Sequence, residues 1–237
     1  MDESLTQSSL GPYPTLTSSE TIAFRERVLT IDKYRPRYPW HGTSDPYAVF
    51  VAEVLLRKTR ASDVLPKYDA LVSSFPAVRV LASADVEAVR KLVRPLGLPR
   101  RADTLVEAAR MVVEGHGGVF PNDARRLTRL PGVGRYIANA ILCIGFGQSR
   151  PMLDEGVGRL LRRYLGVSKK STTSADSALW NWADTLFSSC ANPPAFNLSL
   201  IHLSKAVCKP RAPSCSECPL KEGCSYALKA GDAQTED

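Results

Sequence analysis

Four cysteines near the C-terminal end are the residues with the clearest chemical potential in this chain. They are Cys208, Cys215, Cys218 and Cys224, with prolines between them. Such a short loop buries too little surface to hold its own shape, whereas four thiolates bind an iron–sulfur cluster or zinc tightly. Structural zinc usually uses two Cys-x-x-Cys pairs, and only one is present. The spacing favours a [4Fe-4S] cluster over zinc, and we expect Cys143 and Cys190 to be ordinary buried thiols.

A glycine-rich turn, Leu130-Pro131-Gly132-Val133-Gly134, lies between two short predicted helices. Glycine permits positive φ and close approach of the backbone. The first N–H groups of the following helix add the positive end of its dipole, so the turn suits one phosphate. The pattern indicates a helix-hairpin-helix, which holds the DNA backbone without reading bases, with Arg129 and Arg135 beside it. The alternative is a plain turn between two helices, with glycine at the cap.

Two carboxylates have positions suited to acid–base or electrostatic catalysis. Asp154 follows Leu153 at the predicted start of a helix, where an N-cap is the simplest interpretation from sequence alone. Glu53 lies within the apolar stretch 49–56, so its carboxylate is either desolvated or at the exposed edge of a helix. Desolvation would raise its pKa and let it hold a proton near neutral pH.

The charge balance favours a polyanionic partner. The net charge is +7, and Lys and Arg neutralise phosphates with release of counterions, although a merely basic soluble protein is the alternative. No apolar run reaches the roughly 18 residues that a membrane span needs. The first residues also lack an apolar signal core. These features favour a cytoplasmic protein with a polyanion such as nucleic acid as its partner.

Almost every periodic segment is helical, which predicts an all-α fold. Asp45 and Pro46 suit the N-cap and first position of one helix, and Ser83 is expected to cap another. The expected organisation has two helical lobes between flexible tails: residues 44–150 with the hairpin, residues 19–43 plus 151–228 with the cysteine loop, and tails at 1–18 and 229–237.

The hairpin, followed by Leu153-Asp154 and then the four cysteines, resembles the endonuclease III superfamily of DNA glycosylases. The similarity covers about residues 20–228 and is closest to the archaeal-type thymine-DNA mismatch glycosylases. The segments that carry it are 45–47, 53–59, 97–98 and 130–136. Adenine DNA glycosylases acting opposite 8-oxoguanine are next nearest. They normally add a C-terminal recognition domain and carry two glutamines where Arg57 and Lys58 stand here.

The resemblance implies roles for three catalytic residues. Asp154 matches the catalytic aspartate that stabilises the sugar cation and orients or activates water. Glu53 matches a glutamate that faces the base pocket and contacts or protonates the base. Tyr136 stands where bifunctional members carry a nucleophilic lysine, and a phenol cannot form a Schiff base. We expect a monofunctional enzyme that leaves an abasic site, with Tyr136 lining the pocket; a core aromatic is the alternative.

The resemblance also implies a monomer whose partner is double-stranded DNA with a mismatched or damaged base, and contacts with the opened duplex. Lys58 and Leu98 match residues that fill the gap left by the flipped nucleotide and wedge the opposite strand. Arg57 is expected to contact the orphan base, since arginine suits O6 and N7 of guanine. A solvated helix end or a core leucine is the alternative for these positions. The cysteine loop would order a basic DNA-contacting surface, with Lys205, Lys209, Arg211 and Lys221 nearby.

The expected reaction is release of thymine or uracil mispaired with guanine. Alternatives are release of adenine opposite 8-oxoguanine or guanine, release of an alkylated base, and a non-catalytic iron–sulfur protein that binds DNA or senses redox state. One position departs from the family pattern, because relatives usually carry Asn or His two residues after the aspartate and Gly156 stands here. Glu155 is the neighbouring polar residue that could take over that role.

Overall fold

The computed structural model describes residues 10–232, and all regular secondary structure in that range is helical, which confirms the all-α expectation. The α-helices in chain order are α1 (Ser18–Leu29), α2 (Pro46–Leu56), α3 (Ala61–Ser74), α4 (Val78–Ala82), α5 (Val86–Val93), α6 (Arg101–His116), α7 (Ala124–Leu127), α8 (Arg135–Ala140), α9 (Glu155–Leu165), α10 (Ser177–Phe187), α11 (Pro193–Ala206) and α12 (Ser225–Asp232). Short 3-10 turns cover Asp32–Tyr34, Pro39–His41, Arg94–Leu96, Thr173–Ala175, Cys215–Glu217 and Lys221–Gly223, and a π turn covers Ile141–Gly145. No helix in this range is both long and apolar enough to cross a bilayer.

The chain divides into two compact units. One unit spans Arg37–Gln148, and the other combines the residues up to Pro36 with those from Ser149 onward. The sequence places residues 37–43 with the cysteine loop, but the structure groups them with α2 to α8. Trp40 accounts for the difference, because its buried indole packs edge-on against Tyr68 of α3.

Helix α2 is the scaffold of the 37–148 unit and packs against α3, α6, α8 and the π turn. It begins as expected: the Asp45 carboxylate accepts a hydrogen bond from the Tyr47 amide at 2.9 Å, and Pro46 occupies the first position. Its residues from Val49 to Leu55 are buried on every side. A helix apolar all round is stable only when other elements cover it, so α2 fixes Glu53 within a dry environment.

The cap of α5 differs from the expectation. Asp85, not Ser83, accepts the hydrogen bond from the Glu87 amide, at 3.1 Å. The Ser83 hydroxyl instead bonds back to the carbonyls of Arg79 and Val80 at 3.2 and 3.1 Å, where it ends α4. A serine hydroxyl can cap the start of a helix or bond to the carbonyls of the preceding turn. Because α4 ends directly before Ser83, the hydroxyl bonds to the carbonyls of α4.

The N-terminal segment joins the core of its unit. Leu10 and Tyr13 are each 3% exposed and pack with residues of α1, α9, α10 and α11. The Tyr13 hydroxyl donates to Asp176 at 2.6 Å, and the Trp182 indole donates to the Pro14 carbonyl at 2.7 Å. These contacts lie far apart in sequence, so local polarity does not reveal them.

The flexible tails predicted from sequence therefore differ from the structure where it describes them. In residues 10–18 of the expected N-terminal tail, Leu10 and Tyr13 are packed into the core while most of the others are exposed, and residues 1–9 lie outside the described range. The expected C-terminal tail from residue 229 begins inside α12, which runs to Asp232, and residues 233–237 lie outside the range.

Candidate active site

Asp154 stands at the entrance to α9, where the chain changes from an extended segment to a helix. Its Oδ1 atom accepts the amide of Val157 at 2.7 Å, so the predicted N-cap is present. The side chain is half-buried, and no residue in the described range hydrogen-bonds its Oδ2 atom. The helix thus fixes one carboxylate oxygen and leaves the other available for a substrate or a water.

Asn197 of α11 fixes the extended segment that leads to Asp154. Its Oδ1 accepts the Met152 amide at 2.7 Å, and its Nδ2 donates to the Arg150 carbonyl at 2.8 Å. The Asn197 side chain is buried, and its bond to Met152 is shielded from water, while its bond to Arg150 is partly buried. Asn197 could not be identified as a site residue from the sequence, where its only signal is an amide inside an apolar helix.

Gly156 lies against α11. A Cβ built at this position would fall 2.7 Å from Ser204 Oγ and 3.1 Å from Asp154 Oδ1. Real Cβ atoms do not approach oxygen at 2.7 Å, so α9 can pack at this distance only with glycine here. The Ser204 hydroxyl is buried and donates to the Ile201 carbonyl at 2.8 Å.

The Glu155 carboxylate forms its hydrogen bonds with Lys169 and Thr173 and not with Asp154. Its carboxylate accepts the Lys169 ammonium at 3.0 Å and the Thr173 amide at 2.6 Å. Burial raises the pKa of Glu155, but these two partners outweigh it and hold the pKa below its ordinary value. Glu155 therefore does not replace the polar side chain that is missing at Gly156.

Glu53 and Tyr136 lie in the 37–148 unit. Glu53 is 7% exposed on α2, between apolar neighbours, so the desolvated position is observed and not the alternative at the exposed edge of the helix. Tyr136 is half-buried on α8, and α2 and α8 pack together. The unit therefore brings the helices of the expected base-contacting pair side by side.

Lys58 and Leu98 both have left-handed backbone conformations, with φ of 55° and 54°. Residues other than glycine rarely adopt this conformation, and it recurs where function requires strain. Lys58 is exposed, and Leu98 is 40% exposed, so the core alternative for this leucine is wrong. One cavity is lined by Leu98 and Arg57 together with Val54, Pro99, Arg100, Arg101 and Thr104.

The glycine turn packs beside the same cavity. Gly132 has φ of 72°, and a Cβ there would lie 2.4 Å from Thr104 Cγ2 and 3.3 Å from Arg57 Nη1. Glycine is required at this position by both conformation and space. Val133 is buried and its amide donates to the Leu130 carbonyl at 3.1 Å, while Gly134 caps α8. Arg135 beside them is exposed.

The four cysteines of the C-terminal loop line one small cavity together. Burial, reinforced by the neighbouring thiols, raises the pKa of Cys215. Burial likewise raises the pKa of Cys218. No three His, Cys, Asp or Glu side chains in the described part of the chain are grouped as ligands of a single metal ion. Cys143 is buried and Cys190 is half-buried.

Two arginines of α9 tie the Asp154 helix to the cysteine loop. Arg159 donates to the Ser204 and Cys208 carbonyls at 2.8 and 2.9 Å. Arg163 donates to the Lys209 carbonyl at 2.7 Å, and its Nη1 lies 3.5 Å from Cys208 Sγ. The conformation of the loop is therefore linked to the helix that Asp154 caps.

Comparison with known proteins places the chain in a family. Residues 51–184 match the model of the HhH-GPD superfamily base excision DNA repair proteins, which is more than half of the chain. The chain therefore belongs to this superfamily, as the resemblance to endonuclease III-type glycosylases predicts.

Individual relatives agree with that assignment. The chain is 39% identical over 191 residues to a thymine-DNA glycosylase of Aeropyrum pernix, covering 79% of this chain and 86% of that protein. It is 36% identical to the adenine DNA glycosylase of Homo sapiens over 94% of this chain and 43% of that protein. The solved structure of a thermostable thymine-DNA glycosylase superposes with a TM-score of 0.82 at 33% identity, covering 88% of this chain and 97% of that one.

Proposed function

We propose that this protein is a monofunctional DNA glycosylase that releases thymine or uracil mispaired with guanine. The observation that carries the proposal is Asp154, a half-buried carboxylate whose Oδ1 caps α9 while its Oδ2 has no partner in the described range. The position of Asp154 is closely defined, because Asn197 holds the segment before it and Gly156 allows α9 to pack tightly after it. Similarity to a thymine-DNA glycosylase supports the choice of substrate.

The reaction replaces the C1′–N bond of the target nucleotide by a C1′–O bond to water. The bonding electron pair leaves with the base, so positive charge develops on the sugar. The ionised Asp154 stabilises that charge and directs the water, whose hydroxyl ends on C1′. The other water hydrogen is balanced by the proton that the released base gains, and buried Glu53 is the proposed group that contacts or protonates this base.

The product is an intact strand with an abasic site. Tyr136 occupies the place where an amine would be needed to form an imine with the sugar, and a phenol forms none. We assign Tyr136 to contact with the base after it has left the stack, which base chemistry in a duplex requires.

DNA binding is assigned to the exposed surface around the cavity of the 37–148 unit. Lys58 and Leu98 are the proposed wedge in the opened duplex, and Arg57 is the proposed contact to the orphan guanine. The hairpin residues Gly132, Val133, Gly134 and Arg135 are the proposed phosphate contact, through amides other than that of Val133, which already donates to the Leu130 carbonyl. Apart from the buried Val133, the residues assigned to DNA binding are exposed, which supports the assignment. We propose that one protein monomer binds one duplex.

The C-terminal loop is the proposed site of a [4Fe-4S] cluster held by Cys208, Cys215, Cys218 and Cys224. The donor set fits, because the four thiols line one cavity. A bound cluster would supply structural order and bring Lys205, Lys209, Arg211 and Lys221 toward the DNA. Arg159 and Arg163 of α9 bond carbonyls of this loop, so an ordered loop also supports the position of α9.

A base-release assay over defined duplexes tests the function. We expect release from T·G and U·G pairs, and none from T·A pairs, with strand breaks only after alkali. Release of adenine opposite 8-oxoguanine without release from T·G would transfer the protein to the adenine glycosylases. Release of an alkylated base alone would make it a repair enzyme for alkylation damage. No release from any duplex, with DNA binding intact, would support a non-catalytic protein.

A further inference from the structure

The two left-handed residues of the proposed wedge share one anchor. Arg101, the first residue of α6, donates from Nη2 to the Arg57 carbonyl at 2.8 Å and from Nη1 to the Gly97 carbonyl at 3.0 Å. These carbonyls belong to the residues directly before Lys58 and Leu98, whose φ values are 55° and 54°. The single guanidinium of Arg101 therefore holds both the peptide group that precedes Lys58 and the peptide group that precedes Leu98.

Burial of the Arg101 side chain at this position is unfavourable in free energy. It is 3% exposed, and none of the described carboxylates forms an ion pair with it. Its third bond goes to Thr59 Oγ1 at 3.0 Å, while its Nε donor has no partner in the described range. Burial and the charge of Arg57 lower its pKa. Packing alone would be served better by an apolar side chain, because an unpaired buried charge is costly.

We propose that Arg101 is a positioning residue that holds Lys58 and Leu98 in the conformation that opens the duplex. The inference rests on the proposed function, since it gives a role to the two wedge residues. The rigid fork of arginine can bond two carbonyls at once, which a lysine ammonium on a flexible stem does far less well. Without the fork, both residues can relax toward right-handed conformations, and their side chains then leave the wedge positions.

The test compares a target that must be opened with one that is already free. The Arg101→Met variant keeps the length and apolar stem of the side chain and removes the fork. Single-turnover uracil release is measured on a U·G duplex and on a duplex in which uracil stands opposite a tetrahydrofuran abasic analogue. Only the U·G target must be unpaired before its base can leave the stack, so loss of the wedge slows release from that duplex selectively. We expect release from U·G to fall about tenfold, with less than about twofold loss on the unpaired uracil.

A general loss of stability would reduce both rates by the same factor, so equal losses on the two duplexes overturn the inference. Arg110→Met is the matched control, because Arg110 lies on the same helix and donates to a single carbonyl, that of Ala82, at 3.1 Å. It should leave both rates unchanged. If Arg101→Met does not fold, Thr59→Val is tested instead, because it removes the acceptor of one Arg101 hydrogen bond. We expect a smaller loss of uracil release, again confined to the U·G duplex. If the wild-type protein releases uracil from neither duplex, the proposed function fails instead.

Discussion

A Cβ at position 156 would fall 2.7 Å from the hydroxyl oxygen of Ser204, so Gly156 and Ser204 are spatial partners. The same Cβ would lie 3.1 Å from Asp154 Oδ1, the oxygen that caps α9. Helix α11 therefore occupies the space that a side chain at position 156 would need. Gly156 is thus required by the packing of α9 on α11 next to Asp154.

Gly156→Ala should slow base release by about 10-fold to 100-fold, because small displacements of a reacting group carry penalties of that order. Alanine in a helix ordinarily stabilises by up to about 1 kcal/mol relative to glycine. Gly115→Ala is therefore the control, since Gly115 lies in α6 with open space around its Cβ position. It should leave the rate unchanged.

Adding Ser204→Ala to Gly156→Ala should restore part of the lost rate, because the atom at 2.7 Å is then absent. Single-turnover rates of the two single variants and the double variant give the coupling between the positions. Independent effects of the two substitutions would show that the contact between them does not control Asp154.

Local features of the site could be predicted from sequence. The caps at Asp45 and Asp154 depend on residues within one helical turn, and both are present. These caps need no knowledge of distant segments, since neighbours in the chain determine them. For Glu53 the apolar neighbours leave burial and the exposed edge of a helix both open, and the elements that pack on α2 decide for burial.

Features that depend on distant segments could not be predicted. Arg101 bonds Arg57, 44 residues earlier, and Asn197 bonds Met152 and Arg150, 45 and 47 residues earlier. Each reads in sequence as an ordinary helical residue. The packed Tyr13 has the same origin, because its partner Asp176 is remote in the chain. Such contacts appear only when tertiary packing brings the segments together.

Asp154→Asn should abolish most base release and preserve the fold. Asparagine is as good an N-cap as aspartate, so the bond to the Val157 amide is retained while the charge is lost. We expect the rate to fall about 100-fold or more, as for loss of a central electrostatic contact, with DNA affinity little changed. Binding measured on an uncleaved duplex serves as the control. Full activity of this variant would exclude Asp154 from the reaction.

The wild-type protein should form no covalent complex with DNA in the presence of borohydride. Reduction traps an imine only where an amine has attacked the sugar, and Tyr136 offers a phenol. The nicked product should appear after alkali and not before. Strand cleavage at neutral pH together with a trapped complex would show that another residue, such as the exposed Lys58, acts as the nucleophile.

The purified protein should contain iron and acid-labile sulfide in equal amounts and absorb visible light. Cys215→Ser should remove the absorbance, because a cluster with three thiolates and a hydroxyl is held less tightly. Cys190→Ser should retain it, since Cys190 is expected to be no ligand. Metal analysis that finds zinc and no iron would instead assign the loop to a structural zinc site.

Asp176 should contribute stability that depends on pH. Its carboxylate accepts the Arg162 guanidinium at 2.7 Å and the Tyr13 hydroxyl at 2.6 Å, and both partners are buried. Burial raises the pKa of Asp176, but these hydrogen bonds outweigh it and hold the pKa below its ordinary value. Burial and the same carboxylate raise the pKa of Tyr13 to about 12, so the phenol remains a donor at neutral pH.

Asp176→Asn should lower the free energy of unfolding by about 3 kcal/mol at neutral pH, because Arg162 is left buried without its counter-charge. A depressed native pKa means that the unfolded state binds more protons, so this stability is present above about pH 4 and is lost as the pH falls through the native pKa. Urea unfolding at neutral pH and near pH 3 should therefore show the difference between wild type and variant shrinking on acidification. Asp103→Asn, which breaks a more exposed pair with Arg90, should change stability little at either pH. A loss from Asp176→Asn that stays constant with pH would mean that the asparagine perturbs packing rather than charge.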